Sequence, residues 1–266
     1  MMDYCSIVDS SYTLRAKALW RSFQEHCQPY RWWVLALDRQ TLDTLEPLAN
    51  IAVVPFGNFA PDGIQLTPAL EDARAALPWN VFIWACKPTW LMHIFDVVNP
   101  QQLIYIDGDC YFFSTPAPVY REIGDAPIAL TPHRFSPGQE HFQVNGNFNG
   151  GLIYLRNLPQ VRTCLEDWSE ACLQHQDGRH TEQRYLNTWP IQYGARVIKH
   201  KGVNLAPWNQ SEQYTYTLKN GQIYVDSDPL IFYHFHQGLA PAYPVDPFVR
   251  KHIYGRYCSV LEGIKK

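Results

Sequence analysis

LIYIDGDCYFFS, residues 103–114, is the stretch that decides how the rest of the sequence is interpreted. Leu103–Ile106 is apolar and predicts a buried strand, and Asp107 and Asp109 follow at its carboxyl end. Side chains two residues apart on extended backbone point the same way, so both carboxylates can face one point. Two such charges repel each other unless a cation lies beside them. One interpretation is therefore a divalent metal that joins the carboxylates to phosphate oxygens, and the other is a polar turn capped by aspartate.

The residues before this strand alternate between apolar strand patterns and amphipathic helix patterns. In chain order the predicted elements are a strand at Tyr4–Val8, a helix through Leu14, Ala18, Leu19 and Phe23, a strand at Trp33–Leu37, a helix at Thr41–Ala49 and a strand at Ile51–Pro55. Such alternation is typical of an α/β fold with a parallel, Rossmann-like sheet. No GxGxxG follows the first strand, so the sequence does not support an NAD(P)-binding version of that fold.

The middle and the end of the chain predict less regular structure. Phe56–Pro78 is rich in Gly, Pro and polar residues and predicts a long surface excursion. A helical pattern begins at Val81, and Pro88 is placed as the first residue of a new helix that runs to Val97. The later predicted elements are strands at Ile128–Thr131, Leu152–Leu155 and Ile231–His236, and helices at Leu158–His175 and Phe248–Ile264. We therefore expect one compact unit over residues 1–266.

Composition and charge narrow the classes of ligand. The 266 residues carry a net charge of −3 at pH 7, and Lys and Arg are scattered along the chain. Nucleic-acid binding needs a basic stripe, so we exclude nucleic acid as a partner. Aromatic residues make up 14% of the chain, with 9 Trp and 16 Tyr. This content suits sugar and nucleobase pockets, although any single ring can equally belong to the core.

The cysteines and the apolar stretches indicate the compartment. The seven cysteines form no CxxC pair, and the N-terminus lacks a basic flank followed by a long apolar run, which predicts a reduced, cytoplasmic protein. The longest mostly apolar stretch, Val81–Val98, is interrupted by Lys87, Pro88 and Asp96, so no transmembrane segment is predicted. The basic and aromatic residues 250–257 leave open a peripheral membrane contact, beside the alternative of a helix packed on the body.

Three further segments carry side chains that suit a ligand site. His234 and His236 alternate on the late strand, so either can complete a metal site, and an imidazole ligand favours Mn²⁺ over Mg²⁺. Asn145–Gly151 predicts a Gly-rich loop whose backbone approaches a hydroxylated ligand, or else an ordinary tight turn. Thr181 is a plausible helix cap, and Glu182 then gains from the helix dipole.

Taken together and in order, the motifs resemble bacterial nucleotide-diphospho-sugar transferases of the GT-A fold, the group of glycogenin and the lipopolysaccharide galactosyltransferases. The opening strand and helix YCSIVDSSYTLRAKALWRSFQEH, the Lys-Pro helix ACKPTWLMHIFD and the strand LIYIDGDCYFFSTP each match a family motif. The segments FNGGLIYLRN, TEQRYLN, GVNLAPWN and PLIFYHFHQ match later motifs. Seven ordered matches are far more specific than any one of them.

The resemblance implies a role for individual residues. Asp107, Asp109 and His234 are expected to bind the metal, with His234 aligning better than His236. Lys87 is expected to contact the diphosphate or the donor sugar, and Gln183 to lie beneath the anomeric carbon. The remaining nucleotide-sugar contacts that the resemblance implies are Ile7, Val8, Asp9, Tyr12, Asp107, Asn149, Gly150 and Gly151. The chain departs from the family at Glu182, where Asp is usual, and at His236, where Gly or Ser is usual.

The resemblance also implies a GT-A, Rossmann-like mixed sheet with flanking helices and a smaller acceptor-side lobe. Residues 1–115 would bind the nucleotide sugar, and residues 116–266 would face the acceptor and carry the late metal-binding histidine. The implied reaction moves a hexose, with Mn²⁺ or Mg²⁺, from a nucleotide-diphosphate sugar to a hydroxyl acceptor. UDP is the favoured nucleotide, retention the favoured stereochemistry, and a cytoplasmic step of polysaccharide or glycolipid synthesis the implied setting.

Two alternatives to this function remain open. A haloacid dehalogenase-type phosphatase also carries DxD after a strand, with the first Asp as the nucleophile. That family places the motif near the N-terminus and continues it with Asp-Gly-Thr, whereas Asp109 is followed here by Cys110 and Tyr111. A non-catalytic nucleotide-sugar binding protein is the second alternative.

Overall fold

The computed structural model describes residues 1–57, 68–174, 181–210 and 213–265. Within these residues the strands, numbered in chain order, are β1 (Met2–Val8), β2 (Tyr30–Ala36), β3 (Ile51–Pro55), β4 (Gln102–Ile106), β5 (Cys110–Phe112), β6 (Ile128–Pro132), β7 (Phe148–Arg156), β8 (Arg196–Val197), β9 (Tyr216–Lys219), β10 (Gln222–Val225), β11 (Asp228–Pro229) and β12 (Phe232–His234). Seven of them form one sheet in the order β3-β2-β1-β4-β7-β6-β8.

The sheet is parallel on one side and antiparallel in its middle. β1 pairs in parallel with both β2 and β4, and β2 pairs in parallel with β3. β7 runs antiparallel to β4 and β6, which makes the sheet mixed. All seven residues of β1 are buried because helices cover both faces of the sheet. The predicted α/β class with a mixed, Rossmann-like sheet is therefore confirmed.

Helices follow most strands of the sheet. In chain order they are α1 (Thr13–His26), α2 (Arg39–Leu45), α3 (Pro68–Ala76), α4 (Trp79–Val97), α5 (Ala117–Ile123), α6 (Pro159–Gln174), α7 (Trp189–Gln192), α8 (Pro247–Val249) and α9 (Gly255–Lys265), with 3₁₀ segments at Glu140–Asn145 and Glu182–Thr188 and a π-helical turn at Arg250–Tyr254. α1 packs with the core on one face of the sheet, and α4 and α6 pack with the core on the other. No helix among the described residues is long and apolar enough to cross a bilayer.

Two predictions for the middle of the chain were wrong. α3 lies inside the stretch 56–78 that we expected to be irregular, and its alanine-rich sequence explains why it is helical. Residues 58–67 of that stretch lie outside the described residues. α4 is continuous through Pro88, which was expected to begin a new helix. The proline lacks one N–H donor, and the helix tolerates this loss because its buried residues on either side, such as Cys86 and Trp90, are held in the core.

Four predicted boundaries also differ. β7 begins at Phe148, so Asn149–Gly151 belong to a strand and not to the predicted loop, because each of them pairs or packs against neighbouring elements. α2 ends at Leu45, before the predicted Ala49. α6 ends at Gln174, and His175 lies outside the described residues. The predicted final helix is interrupted by its π-helical turn.

β12 lies outside the large sheet and is held against the end of β4. It pairs antiparallel with β5, where His234 is the partner of Cys110. β12 ends at His234 rather than at the predicted His236, and the Phe235 N–H instead donates to the carbonyl oxygen of Asp109 at 2.8 Å. The C-terminal helices cover this region, with the Tyr257 ring stacked on Phe235 at 3.7 Å between centroids. The division at residue 115 into two functional halves stays a prediction.

Gly202 holds the strand that carries His234. Its carbonyl oxygen accepts from the N–H of Ile231 at 2.8 Å, and a Cβ at Gly202 would overlap the carbonyl oxygen of Pro229. We predict that Gly202→Ala lowers the free energy of unfolding by about 3 kcal/mol, because the obstacle is backbone and cannot rotate away.

Gly255→Ala is the matched control for this variant. Gly255 begins α9, and the nearest atom to an added Cβ is the Arg250 oxygen at 3.9 Å. Alanine is favoured over glycine in a helix by about 1 kcal/mol, so this variant should be as stable as the parent or more stable. Urea denaturation measures the free energy of unfolding of both variants. Equal values for the two would contradict the steric role proposed for Gly202.

Candidate functional site

A cavity of about 480 Å³ lies where β1 and β4 end. In open α/β sheets this edge is the usual place for a ligand. The residues proposed from the sequence that line the cavity are Ile7, Asp9, Tyr12, Lys87, Asp107, Asp109, Asn149, Gln183 and His234. Val8, Gly150 and Gly151 are not among its lining residues.

The two carboxylates converge through a turn and not along extended backbone. β4 ends at Ile106, and the Cys110 N–H donates to the carbonyl oxygen of Asp107 at 3.1 Å. The turn directs Asp109 Oδ1 to within 3.1 Å of His234 Nε2 and Asp107 Oδ2 to within 3.9 Å of the same nitrogen. The expectation that both carboxylates face one point is met in this way, although the expected extended geometry was wrong.

His234 is oriented by its second ring nitrogen. Asn149 Oδ1 lies 3.3 Å from Nδ1 of His234, where an N–H at Nδ1 can donate to it, and Nε2 faces Asp109 and Asp107. Burial opposes the charged imidazole, but the carboxylates, Asp109 first, outweigh burial and raise the pKa of His234, so Nε2 carries a proton that it donates to Asp109. A metal bound at Nε2 would displace this proton. Metal-ligating histidines are commonly fixed by such a bond from the other ring nitrogen. Two carboxylates and one imidazole form an oxygen-rich donor set with one nitrogen, which fits Mn²⁺ better than Mg²⁺.

Cys110 lies at the same place. The ligand atoms of Asp109, Cys110 and His234 all lie within 4.8 Å of one another, a group that contains cysteine in place of the expected Asp107. Burial, followed by the neighbouring carboxylates, raises the pKa of the Cys110 thiol, so it stays protonated and is a poor ligand in that form. Burial alone would raise the pKa of Asp109, but the adjacent His234, with smaller contributions from His236 and Arg15, more than offsets burial and lowers that pKa. The metal set Asp107, Asp109 and His234 stays a prediction.

Lys87 forms a buried ion pair that sequence reasoning missed. Its ammonium lies 2.6 Å from Glu182 Oε1 and 3.4 Å from Asp107 Oδ1. Burial favours the neutral amine, yet the carboxylates of Asp107 and Glu182 outweigh it and raise the pKa of Lys87. Glu182 was singled out only as a departure from the family and as a partner of the helix dipole. Thr181 is the N-cap residue of this 3₁₀ segment, as expected, but its hydroxyl donates to the Asn145 carbonyl oxygen at 3.0 Å and forms no capping hydrogen bond.

Gly150 and Gly151 make room for the side chains of this cluster, and their contact with a nucleotide sugar stays a prediction. A Cβ at Gly151 would lie 2.6 Å from both Asn149 Oδ1 and His234 Cε1. A Cβ at Gly150 would lie 3.0 Å from Glu182 Oε1. Glycine is needed here because the charged side chains approach the strand closely.

Gln183 is fixed between β7 and the 3₁₀ segment that begins at residue 182. Its Oε1 accepts from the Gly150 N–H at 3.0 Å and from Asn149 Nδ2 at 3.4 Å. The amide therefore holds a defined position on the cavity wall.

One end of the cavity is formed by residues that follow β1. The Asp9 carboxylate accepts from the Trp79 indole N–H at 2.9 Å and from the Ser11 hydroxyl at 2.6 Å. The Tyr12 ring lies beside them and is partly exposed. Val8 was expected among these contacts, but strand alternation directs it into the opposite core, and its carbonyl oxygen already accepts from the Leu37 N–H.

A second wall of the cavity is aromatic and was not predicted from the sequence. The His133 ring stacks on Phe135 at 4.7 Å, Phe135 lies 6.2 Å from Phe142, and Phe142 lies 5.7 Å from Tyr243. Burial, the largest effect, lowers the pKa of His133 to about 3, so this ring is neutral. We call His133, Phe135, Phe142 and Tyr243 the aromatic wall.

Trp208 joins the aromatic wall to the histidines of the late strand. Its ring lies 5.5 Å from His133, 5.2 Å from His234 and 5.6 Å from His236. His236 lines the cavity, and burial followed by the nearby His234 lowers its pKa, so it too is a neutral imidazole.

Comparison with other proteins identifies two similar sequences of unknown activity. No family model matches this sequence. YfnD of Bacillus subtilis strain 168, an uncharacterized protein, is 28% identical over 244 residues, which cover 87% of this chain and 76% of YfnD. YfnF of the same organism, also uncharacterized, is 27% identical over 248 residues, which cover 87% of this chain and 80% of YfnF.

Comparison with solved structures identifies the fold. The galactosyltransferase LgtC, in complex with donor and acceptor sugar analogues, superimposes with a TM-score of 0.65 and 15% identity over 98% of this chain and 96% of LgtC. The apo-form glycosyltransferase GlyE of Streptococcus pneumoniae TIGR4 superimposes with a TM-score of 0.59 and 12% identity over 98% of this chain and 62% of GlyE. The chain therefore has the GT-A fold that its motifs predicted.

We predict that Lys87→Met lowers the free energy of unfolding by about 3–5 kcal/mol, because it leaves Glu182 buried without its counter-charge. The double variant Lys87→Met/Glu182→Leu removes both charges and should recover most of this loss. Urea denaturation measures both values. A single variant as stable as the parent, or a double variant less stable than the single one, would show that the pair does not govern this part of the core.

Proposed function

We propose that this GT-A chain is a metal-dependent glycosyltransferase that moves a hexose from a nucleotide-diphosphate sugar, with UDP favoured, to a hydroxyl of a glycan or glycolipid. The observation that carries the proposal is the convergence of Asp107 and Asp109 on Nε2 of His234, at 3.9 Å and 3.1 Å, in a cavity at the end of β4. The contact of His234 Nδ1 with Asn149 Oδ1 and the adjacent ammonium of Lys87 support it.

Donor binding divides between two parts of the cavity. The base and ribose would lie near Ile7, Asp9 and Tyr12, where an apolar side chain, a carboxylate and an aromatic ring are available together. Asn149 lies nearer the sugar, and Gly150 and Gly151 contribute by leaving space for the side chains around it. Val8 supports this part of the site from the core.

Asp107, Asp109 and His234 would hold the metal. Bound Mn²⁺, or Mg²⁺ in its place, would neutralise negative charge that develops on the leaving diphosphate. Lys87 keeps Asp107 in place through its 3.4 Å contact and adds a positive charge on the same side of the cavity. Because Lys87 is held by two carboxylates, its ammonium needs no reorganisation during the reaction.

Gln183 is proposed to stabilise the positive charge that develops at the anomeric carbon. Its amide oxygen is held by the Gly150 N–H and lies on the cavity wall. This arrangement favours retention, since the Gln183 amide cannot act as the base that an inverting enzyme needs beside the acceptor. His236 is the neutral imidazole that an inverting mechanism would use instead.

The acceptor is proposed to bind against the aromatic wall. Sugar rings present apolar C–H faces, and Phe135, Phe142 and Tyr243 offer adjoining ring surfaces for them. LgtC has been solved with donor and acceptor sugar analogues, and the proposal assigns the same two ligand classes to this chain.

The two alternative functions make different demands. A phosphatase would use Asp107 as its nucleophile, but this carboxylate is engaged by Lys87 and by the Tyr105 hydroxyl at 2.9 Å, and the fold is that of GT-A proteins. A non-catalytic binding protein would hold the same nucleotide sugar without turning it over.

Incubation with Mn²⁺ and either UDP-glucose, UDP-galactose or GDP-mannose tests the proposal, with water as the acceptor of the sugar and release of the nucleoside diphosphate as the readout. We predict that one donor is consumed only with metal, and that Asp109→Asn lowers the rate at least about 100-fold because the leaving group loses its charge compensation. Asp125→Asn, at a fully exposed carboxylate, should keep the parental rate.

The outcomes of this test separate the alternatives. Donor binding without turnover would support the binding protein, and turnover that is insensitive to Asp109→Asn would contradict the proposed site. NMR of the transferred sugar reports its anomeric configuration, and an inverted product would replace Gln183 by His236 as the group beside the reaction centre.

A further inference from the structure

The groups that line the cavity carry more negative than positive charge. Among the described lining residues, Asp9, Asp107, Asp109 and Glu182 are carboxylates, and Lys87 is the single ammonium. A bound divalent ion would still leave an excess of negative charge next to a diphosphate that is itself negative. Like charges at this distance repel, so the proposed donor site requires a further cation.

Arg15 lies directly behind the rim of this cavity. It belongs to the first turn of α1, and its guanidinium carbon lies 4.7 Å from the centroid of the Tyr12 ring, which lines the cavity. On its other side, a Cβ at Gly238 would lie 3.0 Å from Nη2 of Arg15. The guanidinium is therefore placed between α1 and the turn that follows His236.

Arg15 is unpaired in the part of the chain that the structure describes. No carboxylate within those residues forms a salt bridge with it, and its guanidinium contacts the Tyr12 ring instead. An unpaired guanidinium next to a carboxylate-rich cavity is available to an anionic ligand.

Gly238 explains how the position is kept open. Its φ of +71° is in the left-handed region, and its N–H closes a turn onto the Phe235 carbonyl oxygen at 2.7 Å. A side chain there would be strained and would press on Arg15. The turn at Gly238 therefore leaves space for the Arg15 guanidinium. The same turn follows the strand that carries His234.

We propose that Arg15 binds the diphosphate of the donor and supplies the cation that the cavity lining lacks. The guanidinium offers paired N–H donors that match phosphate oxygens, and its stacking on Tyr12 orients it beside the proposed nucleoside contacts. Lys87 does not fill this role alone, because its charge is already shared between Glu182 and Asp107. This inference rests on the proposed donor class and adds to it the residue that recognises the phosphates.

Isothermal titration with UDP and with uridine, each in the presence of MnCl₂, tests the assignment. GDP and guanosine form the second pair of probes. We predict that Arg15→Gln weakens diphosphate binding about 10- to 100-fold, the range for losing a charge-assisted hydrogen-bond pair, and leaves nucleoside binding unchanged. Arg15→Lys keeps the positive charge without the paired N–H donors of the guanidinium, so it should weaken diphosphate binding less than Arg15→Gln. Arg21→Gln, on the same helix, is the matched control and should bind as the parent does.

Melting temperatures of all variants show that they are folded, and Arg15→Lys serves as the test if Arg15→Gln is not. Equal losses for UDP and uridine, or no loss for UDP, would overturn the role of Arg15 while leaving the proposed donor class intact. Failure of the parent protein to bind either diphosphate would overturn the donor class itself, and the assignment of Arg15 with it.

Discussion

The contact between the Asp109 carboxylate and the His234 imidazole organises the cavity. Asp109 is buried at the end of β4, where a negative charge is stable only with a partner, and the His234 imidazole lies 3.1 Å away. His234 comes from a strand late in the chain, so the fold must hold β12 against β5. Gly151 makes space for the imidazole and Asn149 orients it, while the Phe235 N–H ties the strand to the Asp109 carbonyl.

A second layer of charge surrounds this contact. Lys87 is buried within α4 and neutralises Glu182 and part of Asp107, so the Lys-Pro segment of the helix has an electrostatic as well as a packing role. The Glu182 side chain is long enough to reach this ammonium at 2.6 Å. The cavity lining still carries more carboxylates than ammonium groups. This excess of negative charge is the reason for proposing that Arg15 binds the diphosphate.

Local patterns predicted the sheet and one side of the site. The apolar run 103–106 followed by Asp107 and Asp109 identified β4 and its acidic end, because both signals lie within a few consecutive residues. α3 could also have been predicted, since its alanine-rich sequence is itself a helix signal. The start of β7 could not, because Asn149–Gly151 look like a turn until β6 and the side chains of Glu182 and His234 are placed against them.

The rest of the cavity depends on contacts between distant segments. The aromatic wall joins residues after β6, the 3₁₀ segment at 140–145 and the loop before α8, and no spacing within the sequence connects them. The pairing of Lys87 with Glu182 joins α4 to a segment after α6 in the same way. Pairs of this kind become visible only when the sheet brings their elements to one edge.

The most direct test of the account is a crystal structure of the protein grown with MnCl₂ and UDP, with an anomalous difference map recorded at the manganese edge. The account predicts one strong peak within coordination distance of Asp107, Asp109 and His234, with the diphosphate between this ion and Arg15 and the base near Tyr12. A manganese peak elsewhere, or a nucleotide bound outside the cavity, would contradict it.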